Sequence, residues 1–267
     1  MAKEIEYALG VITNFNIQNF LSYNNQTNDS YFWTDEFEMG NPFFFSSTLL
    51  NNLKDVQDIY NKASQILSIY EGIYKLLDRN KSYNRYFRLT ELYEVDKKRI
   101  ISRPVELSIY KIDIDFKIIG ENNEAQKINP IYILFEKIVT DEFLTNLFFI
   151  LSKKVDYKML YIIYDDIKFY LKSKGDKKLK FLEEYSTRLN SFTHTANNYE
   201  VLGFFARHGR TNNDPPKSPM NLNDSMNLIF DIIVKLLKEE FAIDLPKYWG
   251  LVYNDLTEEE IEKLFKK

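Results

Sequence analysis

The sequence predicts a mainly α protein, a helical bundle with a small inserted β-hairpin around residues 105–118. Apolar residues recur at alternating steps of three and four over several long segments, which is the period of an amphipathic helix. One segment, VELSIYKIDIDFKII, alternates instead with the period of a strand. We expect two parts: residues 1–129 form an N-terminal helical region with an aromatic-rich start and the β element, and residues 130–267 form a C-terminal helical domain.

The N-terminal part is expected to contain one long helix. The first 45 residues are aromatic-rich and punctuated by Gly40, Asn41 and Pro42, which predicts irregular structure. The helix is expected to begin at Ser46 or Ser47, with a buried stripe of Leu49, Leu53, Val56, Tyr60, Ala63, Leu67, Tyr70, Tyr74 and Leu77. In the later β element, the apolar residues occupy odd positions up to residue 109 and even positions from residue 112. This change at residues 110–111 indicates a bulge or a tight turn between two short strands.

The C-terminal part is expected to be a series of helices. They begin at Pro130 and include residues 159–171, 177–194 and, last, about 222–241, with Asn221 or Asn223 as the N-cap of the last helix. On the helix over 177–194, Asn190 and His194, followed by Asn197, recur on the face opposite the apolar stripe.

Composition excludes several classes of protein. The chain has no cysteine, which excludes disulfides and Cys-ligated zinc. No apolar run approaches the roughly 18 residues of a membrane span, and the N-terminus MAKEIEYALG lacks the pattern of a secretory signal. We therefore expect a cytoplasmic protein without membrane contact.

Motifs for cofactors and metals are absent from the sequence. It contains no Gly-rich phosphate loop, no GxGxxG and no HExxH, so we expect neither a cofactor nor a metal. The adjacent pair Asp165–Asp166 is either part of a metal site or a simple solvated pair, because neighbouring residues point to different faces of a helix.

The charge distribution singles out one basic region. Residues 151–217 contain thirteen Lys and Arg against eight Asp and Glu, a net charge of +5 in a chain whose total is −4. Both histidines of the chain, His194 and His208, lie in this region, as do three of its eight arginines. This pattern indicates a local site for an anion such as phosphate, with a solvated lysine face as the alternative.

Imidazole beside guanidinium suits phosphodiester chemistry. A histidine can take the proton of a ribose 2′-hydroxyl, and an arginine can hold the phosphate and stabilise its developing charge. No metal is needed for such a reaction. The candidate catalytic residues are Arg188, His194, Arg207 and His208, and the candidate substrate-binding residues are Asn190, Asn197 and Arg210.

The segment Arg188-LNSFT-His194 resembles the Arg-x(4–6)-His signature of the HEPN superfamily of small helical domains. The resemblance implies a metal-independent endoribonuclease of a bacterial defence or toxin–antitoxin system, with Arg188 and His194 as the family's Arg and His. It also implies RNA or a nucleotide phosphate as ligand, a homodimer, and an antitoxin or defence protein as partner. Active members usually have a polar residue directly after the Arg, where this chain has Leu189.

A second, longer string resembles the tail of bacterial proteins of unassigned function. It reads F-x-x-T-A-N, then G-x-x-A-R-H-G, a Pro-rich turn and M-x-L at the start of the last helix. The matching residues are Phe192, Thr195, Ala196, Asn197, Gly203, Ala206, Arg207, His208, Gly209, Pro215, Pro216, Met220 and Leu222. This resemblance implies no particular reaction.

Non-catalytic alternatives stay open at this point. The segment Arg207–His208–Gly209 is also typical of a helix C-terminus, where basic side chains complement the helix dipole and Gly adopts the left-handed cap. The chain would then be a helical interaction or nucleotide-binding module in which the Arg–His segment is structural. A third alternative is a regulator that binds a partner through its aromatic N-terminal region.

Overall fold

The computed structural model describes residues 5–13, 30–34, 43–77, 86–97, 99–103, 130–210 and 214–245. The described elements belong to two compact units. The first contains the strands and the first three helices, and the second contains the helices from residue 157 onward.

The first unit is built on a five-stranded antiparallel sheet. Its strands are β1 (Tyr7–Thr13), β2 (Ser30–Trp33), β3 (Phe44–Ser47), β4 (Phe87–Glu94) and β5 (Arg99–Ser102), in the order β2-β3-β1-β4-β5. The register between β1 and β4 shifts between Leu9 and Val11, which indicates a bulge.

Three helices complete this unit: α1 (Val56–Leu77), α2 (Pro130–Val139) and α3 (Glu142–Ser152). The hydroxyl of Tyr60 on α1 is buried and donates to the carbonyl of Thr90 on β4, so α1 lies against the sheet. Helices α1 and α3 approach closely at Gly72, where an added Cβ would lie 2.1 Å from the carbonyl oxygen of Phe148.

The prediction of a mainly α bundle with one small β-hairpin is wrong, because the protein is a mixed α/β protein with this five-stranded sheet. Strands β1 and β2 lie within the first 45 residues, which the sequence had indicated as irregular. The strands are short, and β1 pairs with β4, about 80 residues further along the chain, so local periodicity carries little information about them. Strand β3 is buried at all four positions and so shows no alternation. The predicted hairpin at residues 105–118 lies outside the described residues.

The start of the first long helix also differs from the prediction. Ser46 and Ser47 end strand β3, and Ser47 caps a short 3-10 helix at Thr48–Leu50. Helix α1 begins only at Val56, where the carboxylate of Asp55 accepts from backbone N–H groups of the first turn. Within α1, the predicted stripe from Tyr60 to Leu77 is buried.

The second unit contains helices α4 (Tyr157–Ser173), α5 (Ser186–Asn197), α6 (Tyr199–Leu202) and α7 (Leu222–Phe241). Two 3-10 helices, Asp176–Tyr185 and Gly203–Phe205, lie between them. The side chain of Asn221 accepts from the N–H of Asp224, which confirms the predicted N-cap of the last helix. The segment predicted as one helix over 177–194 is divided between the first 3-10 helix and α5.

Of the helices in these ranges, none combines the length and the apolar composition that crossing a membrane requires.

Candidate functional site

Helix α5 presents two faces that the apolar pattern predicts. Leu189, Phe192 and Ala196 are buried. The ring of Phe192 lies 5.9 Å from that of Tyr161 on α4, measured between centroids. Because its apolar stripe packs inward, α5 leaves the side chain of His194 exposed to solvent.

Polar side chains at the end of α5 hold the segment that follows it. The Oγ1 of Thr195, which is 0% exposed, accepts from the N–H of Met220 at 2.9 Å. The carbonyl of Asp214 accepts from His194 Nε2 at 2.9 Å and from Asn198 Nδ2 at 3.2 Å. These bonds join residues 214 and 220 to the end of α5, so Thr195, His194 and Asn198 hold the following segment in place.

Arg207 is the centre of a polar cluster on this segment. Its backbone N–H donates to the carbonyl of Ala196 at 2.8 Å, which ties residue 207 to the end of α5. Its guanidinium lies 4.0 Å above the ring centroid of Tyr161, and its Nη2 lies 3.0 Å from Oδ2 of Asp165. Its Nη1 lies 3.2 Å from Nε2 of His208. We call these four residues, Tyr161, Asp165, Arg207 and His208, the Arg207 cluster.

The contact with Arg207 indicates which ring nitrogen of His208 accepts a hydrogen bond. A guanidinium has only donors, so Nη1 of Arg207 can donate to Nε2 of His208 only when that nitrogen carries a lone pair. The tautomer with its proton on Nδ1 fits this contact, and both side chains are exposed.

Carboxylates on α4 balance the charge of the cluster. Asp165 pairs directly with Arg207, while burial, and then the neighbouring Asp165, raises the pKa of Asp166. Burial likewise raises the pKa of Tyr164, with further contributions from Tyr161 and Asp165. The ion pair therefore leaves the Arg207 cluster with little net charge when no ligand is present.

Asn197 joins the cluster from α5. Its Nδ2 lies 3.4 Å from the hydroxyl of Tyr161, and its Oδ1 is buried with no hydrogen-bond partner among the described residues. Of the seven candidate residues from the sequence, the structure brings together Asn197, Arg207 and His208.

The other predicted residues have separate surroundings. Arg188 lies 3.4 Å from the carboxylate of Asp231 on α7, measured from Nη1 to Oδ2. Arg210 lies 5.4 Å from the ring centroid of Tyr199, and Asn190 is exposed on α5. His194 binds the backbone of the following segment, as described above. The candidate residues therefore do not form one composite site within a single subunit.

Sequence reasoning missed Tyr161 as a functional residue and treated Asp165 only as part of an acidic pair. The two residues are four positions apart on α4 and so share a face, away from the apolar stripe of Leu160, Ile163 and Ile167. A tyrosine and an aspartate four residues apart on a helix can together bind a basic side chain, but their spacing does not indicate which basic residue of the chain that is.

Within the ranges that the structure covers, no three His, Cys, Asp or Glu side chains are grouped as metal ligands. No family model, no curated protein and no solved structure matches the chain.

Proposed function

We propose that this chain is an RNA-targeting protein with metal-independent endoribonuclease chemistry at the Arg207 cluster. The observation that supports the proposal is the 3.2 Å distance between Arg207 Nη1 and His208 Nε2, with both side chains exposed. A cation that can bind phosphate and an imidazole nitrogen that can accept a proton then lie side by side, with the cation bound to that nitrogen when no ligand is present. RNA as the substrate implies a cytoplasmic protein.

His208 is the general base of the proposed reaction. When a phosphate replaces His208 as the partner of Arg207 Nη1, Nε2 of His208 is released and would take the proton of a ribose 2′-hydroxyl while the 2′-oxygen attacks the adjacent phosphorus. The bond from phosphorus to the 5′-oxygen breaks, and that oxygen takes a proton from water. The hydroxide left behind takes the proton from His208, which restores the base. The products are a 2′,3′-cyclic phosphate and a free 5′-hydroxyl.

Arg207 holds the phosphate. Its guanidinium is oriented by the ring of Tyr161 and by the carboxylate of Asp165. A fork of fixed N–H donors suits a phosphate that gains negative charge in the transition state. The exposed pair with Asp165 contributes little free energy, so a phosphate can compete with the carboxylate for the guanidinium.

The helical unit that carries the cluster also contains the HEPN-like pair Arg188 and His194. We propose HEPN-like architecture for this unit and a homodimer, on the resemblance alone, and an antitoxin or defence protein as partner. Within one subunit Arg188 pairs with Asp231 and His194 binds Asp214, so the proposed chemistry is assigned to Arg207 and His208.

Incubation of the purified protein with mixed RNA in EDTA tests the proposal. The wild type should produce fragments with 2′,3′-cyclic phosphate ends. The His208→Ala variant should lower the cleavage rate by about 100-fold to 10,000-fold, the range for loss of a general base. Arg207→Ala should lower it by about 100-fold to 1,000-fold, as for loss of an oxyanion donor. Thr187→Ala, at an exposed position near the start of α5, is the control and should cleave like the wild type.

A non-catalytic module is the second candidate, and a specific observation favours it. The backbone of Arg207 and the side chains of Thr195 and Asn198 all bind within the fold, which suits a segment whose role is structural. Under this alternative the wild type binds RNA or a nucleotide without cleaving it. Persistent lack of cleavage by pure, folded wild-type protein that binds RNA would decide for the module.

A further inference from the structure

Two neighbouring phenylalanines next to the Arg207 cluster are exposed to solvent. The residues Phe204 and Phe205 are 74% and 54% exposed, and their ring centroids lie 4.1 Å apart. The two rings therefore form one continuous apolar surface, which we call the Phe platform. Contiguous exposed apolar surface of this kind is typical of a binding site, whereas single exposed side chains are not.

The backbone holds the Phe platform in a defined position. Gly203 has a φ of +58°, in a region that residues with side chains rarely adopt. The N–H of Ala206 donates to the carbonyl of Gly203 at 3.1 Å, and Nζ of Lys158 donates to the carbonyl of Phe204 at 3.0 Å. The two exposed rings are thus carried by a hydrogen-bonded segment of the backbone.

The Phe platform lies close to the proposed reacting groups. Phe205 and His208 are three residues apart, so their Cα atoms are separated by at most about 11 Å. Adjacent nucleotides of a single strand can cover such a distance. A phosphate held by Arg207 would therefore place a neighbouring base within reach of the platform.

Basic side chains surround the Phe platform. Lys158 binds its backbone, and the exposed Arg207 and Arg210 follow it in the chain. The region 151–217 carries a net charge of +5. An apolar surface with basic neighbours fits a polyanion with aromatic bases.

We propose that the Phe platform is a base-stacking subsite for the unpaired nucleobases of single-stranded RNA. The inference rests on the proposed function, since it names how the RNA at the Arg207 cluster is recognised. Bases in a duplex already stack on each other, so the platform would select single strands. Every base has a π-face, so the subsite would tolerate many sequences.

Binding of a short labelled RNA of mixed sequence tests the subsite. The RNA is used as a single strand and annealed to its complement, in EDTA, in a His208→Ala background, with Kd read from fluorescence anisotropy. Phe204→Ala and Phe205→Ala should each raise the Kd for the single strand by about 5-fold to 100-fold, the loss expected for one stacked base. The Kd for the duplex should not change.

A salt titration distinguishes the contribution of base stacking to RNA affinity from that of charge. Phe204→Ala should leave the slope of log K against log salt unchanged, while Arg207→Ala should reduce that slope by about 0.7 if one phosphate contact is lost. Phe204→Leu keeps an apolar side chain but lacks a π-face, so it should also weaken binding. A surface for an apolar peptide would instead tolerate leucine.

Phe169→Ala is the matched control, because Phe169 is 77% exposed on the same unit. It lies eleven residues beyond Lys158 on α4, about 16 Å along the helix axis. This variant should bind RNA like the wild type. An equal loss of affinity for Phe169→Ala would indicate a non-specific apolar effect and overturn the inference.

The outcomes distinguish the subsite from the proposed reaction. If the wild type cleaves RNA and the Phe204 and Phe205 variants keep its Kd, the subsite is refuted and the reaction stands. If binding depends on the two rings and no RNA is cleaved, the subsite stands and the reaction is refuted. A change from dimer to monomer on Phe204→Ala without RNA would assign the platform to a second copy and overturn the inference.

Discussion

Replacement of Thr195 by valine removes the hydroxyl that ties the segment after α6 to the end of α5. The Oγ1 of Thr195 is buried, accepts from the N–H of Met220 at 2.9 Å and donates to the carbonyl of Ser191 at 2.9 Å. Valine has nearly the same shape, so packing is retained while the N–H of Met220 loses its partner. An unsatisfied buried donor costs about 1–3 kcal/mol. Loss of the bond to Ser191 adds little, because a hydroxyl that binds the preceding helical turn contributes little to helix stability.

The free energy of unfolding of Thr195→Val should therefore fall by about 1–3 kcal/mol, measured by urea denaturation. The melting temperature should fall by about 2–4 °C for each kcal/mol. Thr195→Ser is the matched control: it keeps the oxygen and loses one methyl group, worth about 0.8 kcal/mol. Hydrogen exchange gives a local readout, since the amide of Met220 should lose protection in the valine variant and keep it in the serine variant. The reasoning is refuted if Thr195→Val unfolds like the wild type and the Met220 amide stays protected.

Three further changes test other parts of the structure. Gly72→Ala should lower the free energy of unfolding by about 1–3 kcal/mol, because the added Cβ would lie 2.1 Å from the carbonyl oxygen of Phe148. In an open helix position the same change from glycine to alanine raises stability. A higher denaturation midpoint for this variant would therefore contradict the close contact. Burial raises the pKa of Tyr60 to about 12 from a model-compound value of 10.0, so its contribution to stability is complete below pH 10 and is lost as the pH rises toward 12. The difference in free energy of unfolding between the wild type and Tyr60→Phe should shrink across that pH range. A difference that grows with pH would show that the Tyr60 hydroxyl is not desolvated in the folded protein. Arg188→Ala should change the free energy of unfolding by less than about 1 kcal/mol, because its pair with Asp231 is exposed and long, at 3.4 Å. RNA cleavage by this variant should persist, and its loss would assign the chemistry to the HEPN-like pair.

Local pattern predicted the last helix of the second unit well, whereas the helix predicted over 177–194 is divided between a 3-10 helix and α5. The apolar period placed the last helix at residues 222–241, and the cap residue Asn221 marked its start, because both signals act between residues that are neighbours along the chain. The buried stripe of α5, with His194 on the exposed side, followed from the same period.

The sheet did not follow from local pattern. Its strands are only four to eight residues long, and Leu9 on β1 pairs with Phe45 on one side and with Leu92 on the other. Each of these pairings joins residues that are distant in sequence, so no local signal indicates them. Period alone therefore indicated irregular structure where β1 and β2 are formed.

The amino-acid sequence alone determined where the basic residues and both histidines lie, because charge and residue type are properties of single positions. It placed Arg207 and His208 in one short segment, before the last helix. Tertiary structure decided which of the candidates share surroundings: the guanidinium of Arg207 meets Tyr161 and Asp165 of α4, while His194 turns to the carbonyl of Asp214. The physical reason is that the partners of Arg207 lie on a helix more than 40 residues earlier in the chain, and only the packing of the helices brings them within hydrogen-bond distance.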